Sequence, residues 1–201
     1  AIFGRGHFRP KEEWLDGSGQ PFNPGNYYHV GGNSKFYGAV LIRYRAEDFR
    51  PVRHIGGTTP GWPIGYDDLE PYYQQAEELF RVRGTLGEDP TEPPHSGAYP
   101  FPPVPDEAPI ADLRRRLAGI GLHPSSMPLG VDLKQWLAHG KTTWDAFPDT
   151  CGGKMDAETA ALAEALKHPN VQLIPNARVT RLVAGAGGRI VAVEASLAGR
   201  D

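Results

Sequence analysis

Tyr28-His-Val-Gly-Gly-Asn-Ser-Lys-Phe-Tyr-Gly38 is the stretch from which the rest of this chain is read, because it has the makings of a backbone cradle for a large anionic ligand. Gly31 and Gly32 lack the Cβ that would keep a ligand away from the main chain. Asn33 and Ser34 add short hydrogen-bonding groups, and Gly38 permits a second close approach or a tight turn. Tyr27, Tyr28, Phe36 and Tyr37 crowd around the loop, which suits a flat heteroaromatic ring beside a phosphate. A plain glycine turn is the alternative reading of the same residues.

Around this loop the chain has the composition of an ordinary globular protein of 201 residues, with 39% apolar and 22% charged residues. Its 25 glycines and 20 prolines repeat with no period, which implies a loop-rich fold and excludes a fibre. A net charge of −3 offers no electrostatic footprint for nucleic acid or an anionic membrane. The basic run Arg114-Arg115-Arg116 falls inside a helical pattern and reads as a solvated face. One cysteine, Cys151, excludes an internal disulfide and a cysteine zinc cluster. No apolar run is long enough to span a bilayer, so a soluble chain is expected, its compartment undetermined with the cytoplasm slightly favoured.

Residues 1–60 are rich in turn signals, and Ala39-Val-Leu-Ile42 could be a buried strand or the start of a short helix. A helix is predicted from about Asp68 to Val82. Asp67 is its cap, Pro71 falls in its first turn, and Gly84 closes it. Its apolar stripe comprises Leu69, Tyr72 or Tyr73, Ala76, Leu79 and Phe80. Residues 85–109 contain eight prolines and should form a packed surface excursion with no sheet. A second helix is predicted over Ile110–Ile120, with Ile110, Leu113, Leu117 and Ile120 on one face and Gly121 as its stop. A third covers Ala157–Lys167 behind an Asp156 cap. Val171–Ile174 reads as a strand. Ala177–Val183 and Ile190–Ser196, separated by Gly185-Ala-Gly-Gly-Arg189, read as an antiparallel hairpin. The fold class expected is α/β, or α+β over these residues.

Several segments in order resemble the glucose–methanol–choline family of flavoprotein oxidoreductases. They are Val30–Gly38 with the following Ala39–Phe49, then Trp62-Pro-Ile-Gly-Tyr-Asp-Asp-Leu-Glu-Pro-Tyr-Tyr73, Gly153-Lys-Met-Asp156, and His168-Pro-Asn-Val-Gln-Leu-Ile174 leading to Ala177-Arg-Val179. The resemblance covers roughly residues 20–197. It implies part of an FAD-binding domain (1–60), a substrate-domain portion (61–152) and a return to the FAD-binding domain (153–201). It also implies oxidation of an alcohol or sugar, with hydride passing from the carbinol carbon to flavin N5. Gly31, Gly32, Asn33, Ser34 and Gly38 would meet the cofactor, and Val179 would touch its adenine through the backbone. Lys35 would either complement the pyrophosphate or be solvated. The loop carries no histidine after Gly32, so the FAD would be noncovalent.

Neither the Gly-x-Gly-x-x-Gly fingerprint nor the late histidine block of that family occurs in the 201 residues. The expectation is therefore an interior segment of a longer enzyme that contains no catalytic base and is inactive alone, with the rest of the parent chain as its partner. His29 and His54 read as structural histidines. Trp144-Asp145-Ala-Phe-Pro-Asp149 could line a substrate pocket or anchor a loop. A competing reading is a noncatalytic module that binds a sugar or a protein on Tyr27, Tyr28, Trp62 and Trp144.

Overall fold

The computed structural model describes residues 13–139, 147–149 and 151–198. Short helices and small antiparallel sheets joined by long ordered loops make the chain α+β and loop-rich. It divides into two compact units, Ala1–Ala163 and Glu164–Asp201.

The first unit is organised by extended segments that meet around residues 129–131. Strand β5 (Val82–Arg83) pairs antiparallel with β6 (Leu129–Gly130). Val40 bridges to Leu129 and Val131 bridges to Lys154. Gly130 donates its N–H to Ala39 and accepts from Met155 at its carbonyl. The backbone polar groups in this node are thus paired where water is excluded. Ala39, Val82, Val131 and Lys154 have no exposed surface at all. Gly130 packs closely here, since a Cβ would lie 2.8 Å from Leu41 Cδ1 and 3.2 Å from the Tyr37 hydroxyl, and Leu41 would have to shift to admit one. Ala39–Ile42 is therefore neither a helix nor a full strand. It is an extended segment entered through a left-handed Ala39 with φ 60°.

The hairpins β1 (Trp14–Leu15) with β2 (Pro21–Phe22) and β3 (Val52–His54) with β4 (Gly57–Thr59) are short and exposed. Helix α1 (Tyr66–Leu79) begins two residues earlier than predicted, and Asp68 supplies its capping carboxylate by accepting the Gly65 N–H at 2.8 Å. Pro71 consequently lies beyond the first turn. The helix ends at Phe80 and turns through a left-handed Arg81 rather than at Gly84. Gly84 instead packs beneath an aromatic ring, since a Cβ would sit 2.7 Å from Tyr99 Cδ2.

The buried face of α1 also differs from the predicted stripe. Tyr66 and Glu77 are buried while Tyr72 and Leu79 are exposed. The inward side carries Tyr66, Glu70, Tyr73, Gln74 and Glu77, all of which touch Arg43 or each other. A buried guanidinium draws carboxylates inward more strongly than an apolar stripe can orient a short helix.

The proline-dense loop packs as expected. Its carbonyl at Pro94 accepts from Tyr66 Oη, its Ser96 N–H donates to Glu70, and Phe101 bridges to Arg83. Helix α2 (Ala108–Gly119) ends in a Schellman motif, with Leu122 N–H on the Leu117 carbonyl, Gly121 N–H on the Ala118 carbonyl, and Gly121 at φ 83°. Arg115 and Arg116 form the expected solvated face, whereas Arg114 is pinned by Glu88 and Asp106. No residue of α2 is buried, and its apolar face stays about half or more exposed among the described residues (Ile110 49%, Leu113 51%, Ile120 74%). Helix α3 (Leu133–His139) has no counterpart in the sequence reading. The helix expected behind Asp156 opens as a wide π turn over Glu158–Leu162 and continues as α4 (Ala163–Ala165).

In the second unit, β7 (Ala177–Ala184) and β8 (Ile190–Leu197) form the predicted hairpin. Its register shifts between Val179 and Arg181, and its surface is exposed on both faces. Val171–Ile174 is not a strand; it runs without a ladder partner among the described residues and leaves Val171, Leu173 and Ile174 exposed.

Candidate functional site

Gly31 and Gly32 adopt φ 88° and 52°, so the loop takes a shape that glycine supplies without a Cβ penalty. It then enters a short 3₁₀ turn, Gly32–Phe36. Asn33 reaches back, its Oδ1 accepting the Tyr27 N–H at 3.0 Å while its Nδ2 lies 3.4 Å from Asn26 Oδ1. This holds Tyr27 over Phe36, with ring centroids 4.5 Å apart, and His29 packs edge-on against Phe36. Tyr28 is 63% exposed.

Under the loop lies the segment Gly153–Glu158. Ser34 Oγ donates to the Gly31 carbonyl at 2.6 Å and accepts the Ala157 N–H at 3.0 Å, joining positions 123 residues apart in sequence. Lys35 is buried, with Nζ 2.9 Å from Asp156 Oδ2 and also paired with Glu158. It is thus neither solvated nor offered to an incoming anion. Burial pushes its ammonium pKa down, but the bonds and charges of Glu158 and Asp156 outweigh that and lift it above the ordinary lysine value. Asp156 is fully buried and also caps the following turn, accepting from the N–H groups of Glu158 and Thr159.

Next to this pair, Tyr37 Oη donates to the Met155 carbonyl, and Lys154 Nζ donates to the carbonyls of Tyr37 at 2.8 Å and Phe147 at 2.9 Å. Burial, assisted by the Asp156 charge, pushes the Tyr37 phenol up. Asp149 closes the turn by accepting from the N–H groups of Cys151 and Lys154.

Among the predicted contacts, the structure brings Gly31, Gly32, Asn33 and Ser34 into one loop. Gly38 lies just beyond it, half-buried. Val179 lies on β7 in the second unit and is 55% exposed. His54 Nε2 meets Thr59 Oγ1 at 2.8 Å within its hairpin. Trp144 and Asp145 lie outside the described residues.

A dinucleotide cofactor suits part of this arrangement. Among the described residues, a Cβ at Gly32 would meet nothing closer than the Tyr27 carbonyl at 3.9 Å, so that side of the loop is open to a ligand as far as those residues go. Asn33 is exposed there. At Gly31 the space is already filled, since a Cβ would lie 3.1 Å from Lys35 Cε and 3.3 Å from Glu158 Cβ. The loop can therefore offer backbone and the Asn33 amide, but not the Lys35 charge.

A second polar centre escaped the sequence reading. Arg43 binds Glu77 in a two-pronged pair at 2.7 Å on each arm and also reaches Tyr66 Oη, Glu70 and Gln74. Burial pushes the guanidinium down, and the bonds from Glu77, Tyr66 and Glu70 more than reverse this. His95 packs beside it, 3.3 Å from Glu92 and 3.9 Å from Glu77, with its ring edge-on to Tyr99. Burial, with the Arg43 charge, lowers the His95 pKa. A cleft of about 200 Å³ opens next to this centre, lined in part by Arg43, Arg45, Glu92, Tyr99 and Ser126. The only sequence signal for the centre is a charge inside the apolar run Val40-Leu-Ile-Arg-Tyr44.

Comparison with known proteins bears on this geometry. No family model matches the chain. It is 30% identical to the 6'''-hydroxyparomomycin C oxidase of Streptomyces lividus, over 90% of this chain and 33% of that protein. It is 31% identical to the paromamine 6'-oxidase of Streptomyces fradiae, over 84% of this chain and 30% of that one. An oxygen-dependent choline dehydrogenase of Sinorhizobium fredii is also 31% identical, over 83% of this chain and 29% of its own length. These relatives are oxidoreductases of the glucose–methanol–choline family. The chain spans about a third of the length of the curated relatives it matches. No helix among the described residues is long and apolar enough to cross a membrane.

Proposed function

We propose that these residues form part of a flavin-dependent oxidoreductase that acts on the CH–OH group of an alcohol or sugar. The observation that carries this reading is the loop of two consecutive left-handed glycines, seated on the 153–158 segment, in a chain similar to oxidases and dehydrogenases over most of its length. Bound FAD would supply the redox chemistry by accepting hydride at N5 from the carbinol carbon of the substrate.

The chain's own part is to bind and orient. Gly31 and Gly32 allow the main chain close to the cofactor, Asn33 donates from its amide, and Ser34 keeps the loop seated. Gly38 extends the contact, and Val179 meets the adenine through its backbone. FAD is held noncovalently. Residues 1–60 and 153–201 serve the cofactor and 61–152 the substrate, while the proton-abstracting base comes from residues other than these 201. On this reading the 201 residues alone do not turn over.

A second reading has support from Tyr28 and Trp62, each 63% exposed, as an aromatic platform for a sugar. The deciding experiment is the visible spectrum of the full-length gene product, recorded anaerobically before and after adding alcohols and sugars. A flavin band that bleaches with one of them is the expected result and identifies the substrate class. A protein that stays colourless when supplied with FAD would leave the binding module as the better account.

A further inference from the structure

Lys35 lies in the middle of the proposed cofactor loop, where a cation beside a pyrophosphate would ordinarily be given a binding role. Its geometry points elsewhere. The lysine stem runs beneath Gly31, within 3.1–3.2 Å of where a Cβ would be, and its side chain is 10% exposed. Its ammonium faces two carboxylates, Asp156 and Glu158, so the cluster has no positive charge left over for a ligand.

The other ties across this contact run the same way. Ser34 Oγ bonds the loop's own Gly31 carbonyl and the Ala157 N–H, Tyr37 Oη reaches the Met155 carbonyl, and Lys154 Nζ reaches the Tyr37 carbonyl. Apart from the Ser34–Gly31 bond inside the loop, these connect residues 31–37 to 154–158. Asp156 is itself fixed by two backbone N–H groups at the start of the next turn.

We infer that Lys35, with Ser34 and Asp156, is a positioning residue that clamps the glycine loop in its ligand-receiving shape and does not itself touch the cofactor's phosphates. The inference rests on the flavin reading above. A clamp and a phosphate ligand make opposite predictions for one substitution. Asp156→Asn removes the charge that holds Lys35 but keeps a good capping residue, since asparagine caps as well as aspartate. If Lys35 acts by clamping, Asp156→Asn and Lys35→Met damage the loop alike. If Lys35 binds phosphate, Asp156→Asn releases the lysine and strengthens cofactor binding.

The test uses the full-length protein. FAD dissociation is followed by recovery of flavin fluorescence, and deuterium uptake of peptides covering 27–38 is followed in the FAD-free protein. Lys35→Met and Asp156→Asn should each weaken FAD by roughly tenfold, about 1.4 kcal/mol. Both should raise uptake in 27–38 and leave α1 unchanged, and Lys35→Arg should restore most of the loss. Ser34→Ala is the milder variant, expected to shift both readouts in the same direction should the charge variants fail to fold.

Tighter or unchanged FAD binding in Asp156→Asn beside a loss in Lys35→Met would overturn the inference. Unchanged uptake in 27–38 across all the variants would overturn it too. A parent protein that holds no FAD would sink the flavin reading and this inference with it, and would be recognised in the unsubstituted protein before any variant is made.

Discussion

Arg43 and Lys35 are both nearly inaccessible, at 5% and 8% exposure, and both sit among carboxylates. They nevertheless organise different kinds of structure. Arg43 spreads its planar fork over Glu77, Glu70, Tyr66 and Gln74, all on one helix, and so fixes the face and rotation of α1. Lys35 is a point charge on a flexible stem, and it joins a glycine loop to a turn far away in sequence. The guanidinium makes a hub, and the ammonium makes a latch. A hub with several bonded partners is costly to disturb anywhere. A latch with one partner partly in solvent, as Glu158 is at 44% exposure, can be loosened locally.

The contrast is broken most severely at the hub. Arg43→Met should destabilise the chain by about 3–5 kcal/mol in urea unfolding, because Glu77 is left buried without its partner. The double variant Arg43→Met with Glu77→Leu should recover much of that loss. If the double variant is as unstable as the single one, the cost lies in packing and not in the orphaned charge.

A smaller effect is expected at Lys154, which lies beside the latch. Lys154→Met should cost about 1–3 kcal/mol by the same assay, since the carbonyls of Tyr37 and Phe147 lose a donor in a part-buried site. A loss equal to that of Arg43→Met would show that the latch region is as tightly integrated as the hub.

The smallest effect concerns pH and belongs to His95. Glu77, Glu92, Glu70, Arg43 and the Tyr99 ring face it, and burial together with Arg43 holds its pKa below the ordinary 6.5. The unfolded chain therefore takes up a proton at higher pH than the folded chain does. Stability is full above pH 6.5 and falls as pH drops through the interval down to the lowered folded value. His95→Gln should flatten the urea midpoint between pH 6.5 and 4.5. It should leave the decline below 4.5, where Glu70, held low chiefly by the Ser96 N–H, is protonated in the unfolded chain first. A midpoint that still slopes across that interval in the variant would remove His95 from the account.

What the sequence disclosed follows from how far apart the interacting residues are. The hairpin of the second unit was legible because alternation and a glycine turn are local signals. The Asp156 cap and the Gly121 stop were legible for the same reason. The glycine loop could be located, but the use made of Lys35 could not, because its partners Asp156 and Glu158 belong to a distant segment. The face of α1 was misread because an apolar stripe was counted while Arg43, outside the helix, decided which side was buried. Val171–Ile174 has a strand's composition but no neighbouring strand among the described residues, and composition cannot supply one.

The hairpin of β7 and β8 has a bearing on handling the protein. Two strands with apolar residues on exposed faces, among them Leu182, Val191 and Val193, gain little by staying closed, and such pairs are marginal in water. The turn that joins them, Ala186–Gly188, carries two left-handed glycines at φ 71° and 75°. Proteases favour backbone of this kind, which opens without disturbing a core. Sample age should therefore show first as a nick between the strands, and the open strand edges would then be free to pair with those of another molecule.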